Sequence, residues 1–237
     1  MAWSRKKGQR IRSLARIHIT RPSKKKRYDS SEQAEITAAP NALKHFAIFR
    51  DESRPQAGYS YAGMVESGGW VQDFTYLWFQ RSWHYLAVVL DLKTRQVVGW
   101  RLGMGHSSEL THVALLDALS KYPSPTILHS EHGTEYLSYK RQLTCDRLEI
   151  RLSCCTRASL WLNGFMERFF GSFKTELGDI SRHKELAQLH ESIALTIHYY
   201  NTKRIHTALT MSPAAYAASP TAATPLRRDE VLQEWST

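Results

Sequence analysis

Apolar residues along this chain first follow a two-residue rhythm and then a helical one, and the change of period marks out the elements. Trp70 to Phe79 (WVQDFTYLWF), Trp83 to Leu92 (WHYLAVVLDL) and Gln96 to Leu102 (QVVGWRL) are rich in aromatic and β-branched residues and stand close together, which predicts three strands in a meander. Ser108 to Lys121 has apolar positions at helical spacing, Ser107 or Ser108 as a cap and Pro123 beyond its end, which predicts a helix. Thr126–Ser130 then reads as a short strand, Tyr136–Arg147 as an amphipathic helix and Glu149–Ser153 as another strand. A last core helix is expected from about Leu160 to Leu177 and a further one from about His183 to Tyr200. The order β-β-β-α-β-α-β-α with a C-terminal helical extension predicts an α/β fold, a mixed sheet with helices on its faces. Trp78, Trp83, Tyr85 and Trp100 are expected to lie in the sheet core, since use as a base-stacking platform requires exposure.

Ahead of Trp70 the pattern dissolves. Residues 5–17 suit a short basic helix, and the stretch from Asp29 to Gly69 carries Pro40, Pro55, Gly58, Gly63, Gly68 and Gly69 and reads as linker. The expected division is a basic, partly disordered arm over 1–44, a linker over 45–69, the organised core over 70–217 and a C-terminal tail over 218–237. With 42% hydrophobic residues the chain has enough for a core, and 12 Gly and 8 Pro exclude a collagen-like or low-complexity class. No apolar run approaches the ~20 residues of a membrane span, and three Cys make no disulfide framework, so a reducing cytoplasm is the expected compartment. The net charge of +10 is unevenly placed: Met1 to Tyr28 holds 11 Lys or Arg, among them Lys24, Lys25, Lys26 and Arg27, and no acid. Such a run favours a polyanion through counterion release, although a solvated tail has the same composition.

Three acids stand at the ends of the predicted elements. Asp73 lies on the first strand, Glu131 directly after the fourth and Glu167 inside the last core helix, with 35 residues between Glu131 and Glu167. Carboxylates from three separated elements that converge at one sheet edge suit two hard divalent cations, Mg²⁺ or Mn²⁺. Two such ions about 3.5–4 Å apart serve an in-line phosphoryl displacement. Zinc is not expected, because no Cys or His set stands at ligand spacing around His129 and His132. Asp91 reads as structural or as a group supporting the metal site from behind, and Cys154 and Cys155 as small residues lining the sheet end.

The quoted stretches form an ordered series: WVQDFTY around Asp73, YLAVVLDL from Tyr85, HSEHGTEY around Glu131, NGFMERFF around Glu167, FKTEL from Phe173, and YNTKRIH from Tyr200 followed by Leu209 and Pro213. Across Trp70 to Tyr216 this resembles the insertion-sequence transposases that have a retroviral-integrase-type catalytic core and a ribonuclease-H-like fold. The resemblance implies metal-dependent DNA cleavage and strand transfer, with the acid triad on Asp73, Glu131 and Glu167. It implies double-stranded DNA, both element ends and target, as partner, a homo-multimer on that DNA, no membrane, and a prokaryotic, nucleoid-associated setting. Lys174, two helical turns after Glu167, is expected against donor-end DNA, with Arg168 beside the acid and Asn163 orienting its carboxylate or starting its helix. Asn201 and Arg204 either bind phosphates or pack back on the core.

One position departs from the family. Its pattern has Asp second in the triad and this chain has Glu131, whose extra C–C bond adds ~1.5 Å of reach. Magnesium demands near-ideal octahedral geometry, so impaired activity is expected. The readings that compete with a transposase are an inert DNA-binding remnant and a ribonuclease-H-like nuclease that cuts without joining. The stretch before Trp70 lacks an obvious complete helix-turn-helix, which fits a truncated or decayed copy.

Overall fold

The structure, a computed structural model, describes residues 48–49, 59–60, 68–131, 133–136, 138–154 and 164–219. The chain divides into two units, Met1–Glu32 and Gln33–Thr237, and every described residue belongs to the second. The arm with Lys24, Lys25, Lys26 and Arg27, and also His132, Cys155 and Asn163, lie outside the described residues. Within the stretch read as linker, Ile48–Phe49 (β1) and Tyr59–Ser60 (β2) form a short antiparallel pair.

The sheet itself begins where the alternation does. Trp70–Phe79 (β3), Ser82–Asp91 (β4) and Val97–Gly103 (β5) form the meander, and Ile127–Ser130 (β6) and Arg151–Cys154 (β7) complete a five-stranded sheet in the order β5-β4-β3-β6-β7. The meander pairs are antiparallel, whereas β3–β6 and β6–β7 are parallel. Gln80 and Arg81 both take positive φ (47° and 62°) at the β3–β4 turn, the two-residue hairpin geometry that matches strand twist.

Four longer helices cover the faces. Ser108–Leu119 (α1) and Tyr139–Arg147 (α2) lie on one side, where Leu110, Ala114, Leu115, Ala118 and Cys145 pack with Trp70, Ala87, Val89 and Leu128. Gly164–Leu177 (α3) and Leu186–Thr202 (α4) lie on the other, where Phe169, Phe173, Ile193 and Ile197 pack with Val71, Leu77, Val88 and Ile127. Pro213–Ala217 (α5) closes the chain against α4.

The helix boundaries shift from the expected ones for reasons of capping. The Ser107 hydroxyl accepts from the Leu110 N–H and starts α1. In place of one helix from Tyr136, residues Thr134–Tyr136 make a tight 3₁₀ turn, and α2 starts after Ser138, whose hydroxyl accepts from the Arg141 N–H at 3.3 Å. The Glu185/Gln188 capping box moves the start of α4 to Leu186.

Gly99 allows α1 to lie close on β5. A Cβ there would sit 2.5 Å from the Ala114 carbonyl oxygen and 2.6 Å from the Ala118 nitrogen, both backbone atoms. Gly99→Ala should therefore push the helix off the sheet and cost about 2–3 kcal/mol. In a thermal melt this appears as a drop of roughly 5–10 °C; an unchanged melting temperature would show that α1 can slide without loss.

Candidate active site

The site arises from a mismatch of strand lengths. β3 runs for 10 residues, but its parallel partner β6 pairs only with Trp70, Val71 and Gln72, opposite Leu128, His129 and Ser130. Asp73 is thus the first β3 residue past the parallel pairing, and Glu131 is the first residue past β6. Continuing the register sets them side by side on neighbouring strands, which lie ~4.8 Å apart. Val71 and Ile127 face the α3–α4 core, so the two-residue alternation gives Asp73 and Glu131 that same face, just past the carboxyl end of the parallel-paired stretch. Ligand sites of open α/β sheets form in this kind of crevice. Glu167 stands in the first turn of α3 and is exposed, on a helix whose opposite face is locked into that core by Met166, Phe169, Phe170 and Phe173.

Asp73 is 8% exposed. Its Oδ1 accepts from the Phe74 N–H at 2.7 Å and, in a long hydrogen bond of 3.5 Å, from the hydroxyl of buried Tyr136. Burial, with the charges of Asp73 and Glu135 beside it, pushes the Tyr136 phenol well up, so it stays protonated and donates. The Tyr136 ring stacks on Phe74, which also meets the His106 ring edge to face at 4.0 Å. His106 Nε2 lies 3.5 Å from Glu135, and Gly133 leaves the room into which the Glu135 carboxylate folds back.

Beneath this cluster lies Arg141, 2% exposed. Its Nη1 donates to the Tyr136 carbonyl at 2.8 Å and its Nε to Gln72 Oε1 at 3.3 Å, while Gln72 Nε2 donates to the Thr111 carbonyl at 2.5 Å. A buried guanidinium therefore ties the turn carrying Tyr136 to the residue preceding Asp73. On the β6 side, Cys154 Sγ donates to the Glu131 carbonyl at 3.2 Å. His129 hydrogen-bonds Ser153 Oγ at 2.8 Å, and burial with the nearby Arg141 charge lowers its pKa to about 3, so it is neutral.

The other sequence-predicted residues fall into distinct places. Lys174 holds its ammonium 5.2 Å above the Tyr76 ring. Arg168 is exposed on α3 next to Glu167. Arg204 pairs with Glu176, donates to Ser172 Oγ at 3.1 Å and lies over the Tyr200 ring. Asn201 bonds both the N–H and the carbonyl of Val97 at 2.9 Å, which fastens the end of α4 to β5. Of its two expected roles Asp91 has the partners of the structural one, accepting from Trp70 Nε1 at 3.0 Å and from Thr94 N–H at 2.6 Å. Tyr136, Glu135 and Arg141 carry no role in the sequence pattern, although the first two lie within the quoted HSEHGTEY stretch.

The donor chemistry at the sheet end consists of hard carboxylate oxygens, suited to Mg²⁺ or Mn²⁺ and unsuited to a soft thiolate-type centre. Among the described residues no three of His, Cys, Asp and Glu already converge closely enough to hold a metal ion, Asp73, Glu131 and Glu167 included. No helix among the described residues is long and apolar enough to cross a membrane.

An integrase core domain family model matches residues 66–159, and a second model of the same description matches 148–213. Over 143 residues the chain is 32% identical to the transposase for insertion sequence element IS904 of Lactococcus lactis; the match covers 59% of this chain and 56% of that protein, so the chain spans little more than half its length. A chain of the simian T-cell lymphotropic virus intasome in complex with PP2A regulatory subunit B56 gamma superposes with a TM-score of 0.61 at 20% identity, over 70% of this chain and 59% of that one. The HTLV-2 integrase catalytic core domain in complex with magnesium superposes with a TM-score of 0.52 at 21% identity, over 63% and 95%. At that identity the likeness is one of fold, the ribonuclease-H-like integrase core.

Proposed function

From the match of residues 66–213 to integrase core domain models and the likeness to insertion-sequence transposases, we propose that this chain is such a transposase and that it cuts and joins DNA phosphodiesters at Asp73, Glu131 and Glu167. The observation that carries this reading is the side-by-side emergence of Asp73 and Glu131 where β3 outruns β6. The three carboxylates would hold two Mg²⁺ or Mn²⁺ ions, which when bound lend positive charge to the attacking and leaving oxygens. In cleavage a water oxygen attacks phosphorus and the 3′-oxygen leaves; in joining the freed 3′-hydroxyl is the nucleophile and another 3′-oxygen leaves.

The surrounding residues prepare the site. Tyr136 fixes the rotamer of Asp73 from below, and the Arg141–Gln72 link holds the strand end that bears it. Lys174, Arg168 and Arg204 are assigned to the DNA backbone, Lys174 at the donor end. Each copy offers one carboxylate site, so bringing two element ends together calls for at least two copies on the DNA. We divide the chain into the arm over 1–44, the linker over 45–69, the core over 70–217 and the tail over 218–237. The arm, with Lys24, Lys25, Lys26 and Arg27, adds sequence-independent affinity.

The test is a cleavage and joining assay on duplexes carrying the element's own ends, with Mg²⁺ and with Mn²⁺. Joined products are expected. Nicking without joining would point to a nuclease, and no nicking with either metal to a DNA-binding remnant. Deleting residues 1–28 should weaken nonspecific duplex binding and flatten its salt dependence, the slope falling by about 0.9 for each phosphate the arm neutralises; an unchanged slope in a salt titration would show the arm to be a spectator.

A further inference from the structure

Three aromatic side chains toward the turn of the β3–β4 hairpin are exposed although the sequence pattern places them in the sheet. Tyr76 is 58% exposed, Trp78 52% and Trp83 49%. They form one cluster: the Trp78 and Trp83 ring centroids are 4.9 Å apart, and those of Tyr76 and Trp83 5.4 Å. Exposed large aromatic side chains gathered in one cluster, rather than scattered singly, suit an interaction site.

Lys174 links the cluster to the helix that carries Glu167. This residue is two helical turns from Glu167, on the same face of α3, and its ammonium lies 5.2 Å above the Tyr76 ring. Tyr76 is three residues past Asp73 on β3, about 10 Å along the strand and on the opposite face of the sheet, so a DNA strand passing from one to the other rounds the sheet edge. Beyond Gln72 no strand among the described residues pairs with β3 on the β6 side, so the path from Asp73 to Tyr76 follows an open sheet edge. Arg81 adds an exposed cation at the hairpin turn.

On these observations, and resting on the DNA strand-transfer reading above, we propose that Tyr76, Trp78, Trp83 and Lys174 form a stacking platform for unpaired bases at the DNA end. The cations select a polyanion over an apolar protein partner, with Lys174 neutralising a phosphate while a base lies against the rings. The occupant is unpaired because the faces of bases inside a duplex are already stacked on their neighbours, whereas a frayed or overhanging base offers its face freely.

The test uses the full chain without divalent cations, so that binding is read apart from cutting. Fluorescence anisotropy compares a labelled blunt duplex with the same duplex bearing a short unpaired oligothymidine tail. The tail should tighten binding about tenfold, the value of stacking roughly one base, and should quench tryptophan fluorescence. Trp78→Ala with Trp83→Ala should remove the gain while leaving blunt-duplex affinity and melting temperature unchanged. If the double variant does not fold, the wild-type comparison and its quenching decide alone. Equal affinity of the wild type for both duplexes overturns the platform and leaves the transposase reading standing, whereas failure to bind either duplex overturns that reading itself. A change in the DNA-free oligomeric state of the double variant, measured by light scattering, would show that a second copy covers these rings and would likewise overturn the platform.

Discussion

Replacing Asp73 by Asn is expected to lower cleavage and joining by about 10³-fold or more, while the chain stays folded and keeps its affinity for DNA. The magnitude is that of losing one charge aimed at the reacting centre, several kcal/mol at about 1.36 kcal/mol per tenfold. The side-chain carbonyl of Asn can still accept from the Phe74 N–H and from the Tyr136 hydroxyl, so local structure is kept. The substitution also removes a negative charge from a cluster in which Asp73, Glu131 and Glu135 all act on Tyr136. Stability should therefore hold or rise slightly, the usual mark of a group retained for function. Asp91→Asn provides the contrast. Asp91 accepts from Trp70, from the Thr94 N–H and from the Thr94 hydroxyl, so its replacement should lower the melting temperature. Thermal melts beside a strand-transfer assay distinguish the two, and a clear drop in melting temperature for Asp73→Asn would make Asp73 a structural residue.

That contrast shows which parts of the molecule are legible in the sequence. Strand β3 is readable to the residue, because an aromatic and β-branched run between Gly69 and the turn at Gln80 has no competing period. Asp91 is readable only in part: the end of a strand before a turn suits a structural acid or one supporting the metal site, and its bonds to Trp70 and Thr94 are what single out the first. Arg141 is not: in an amphipathic helix an arginine reads as solvated, and only the tertiary fold supplies the Tyr136 carbonyl and Gln72 that let it be buried. The exposure of Trp78 and Trp83 is illegible for a related reason. Alternation says which face of a sheet a side chain takes, but not whether a helix covers that face so far along a hairpin. The pairing of Asp73 with Glu131 stands between these cases. Both acids are visible in the sequence, yet their adjacency follows from β6 being shorter than β3, a fact of register.

The same register fixes what the length of Glu131 should do. Ser130 pairs with Cys154 in the parallel ladder, and the Glu131 carbonyl accepts from Cys154 Sγ at 3.2 Å, so the backbone on both sides of the carboxylate is pinned. It cannot retreat by the ~1.5 Å that the additional C–C bond contributes. The strain falls on the side chain, which must fold back or displace its neighbours to bring its oxygens where an Asp would hold them. A misplacement near 1 Å at a reacting centre costs about 10²-fold. Glu131→Asp is accordingly expected to raise Mg²⁺-supported strand transfer by about 10²-fold. The unmodified chain should work better with Mn²⁺, which is less exacting in geometry than Mg²⁺, and the variant should narrow that gap. Rates for both proteins with both metals, on the same end-bearing duplex, give the comparison in one experiment. Equal Mg²⁺ rates would mean that the longer carboxylate is accommodated, and with Glu131→Gln equally active the position would not hold a cation at all.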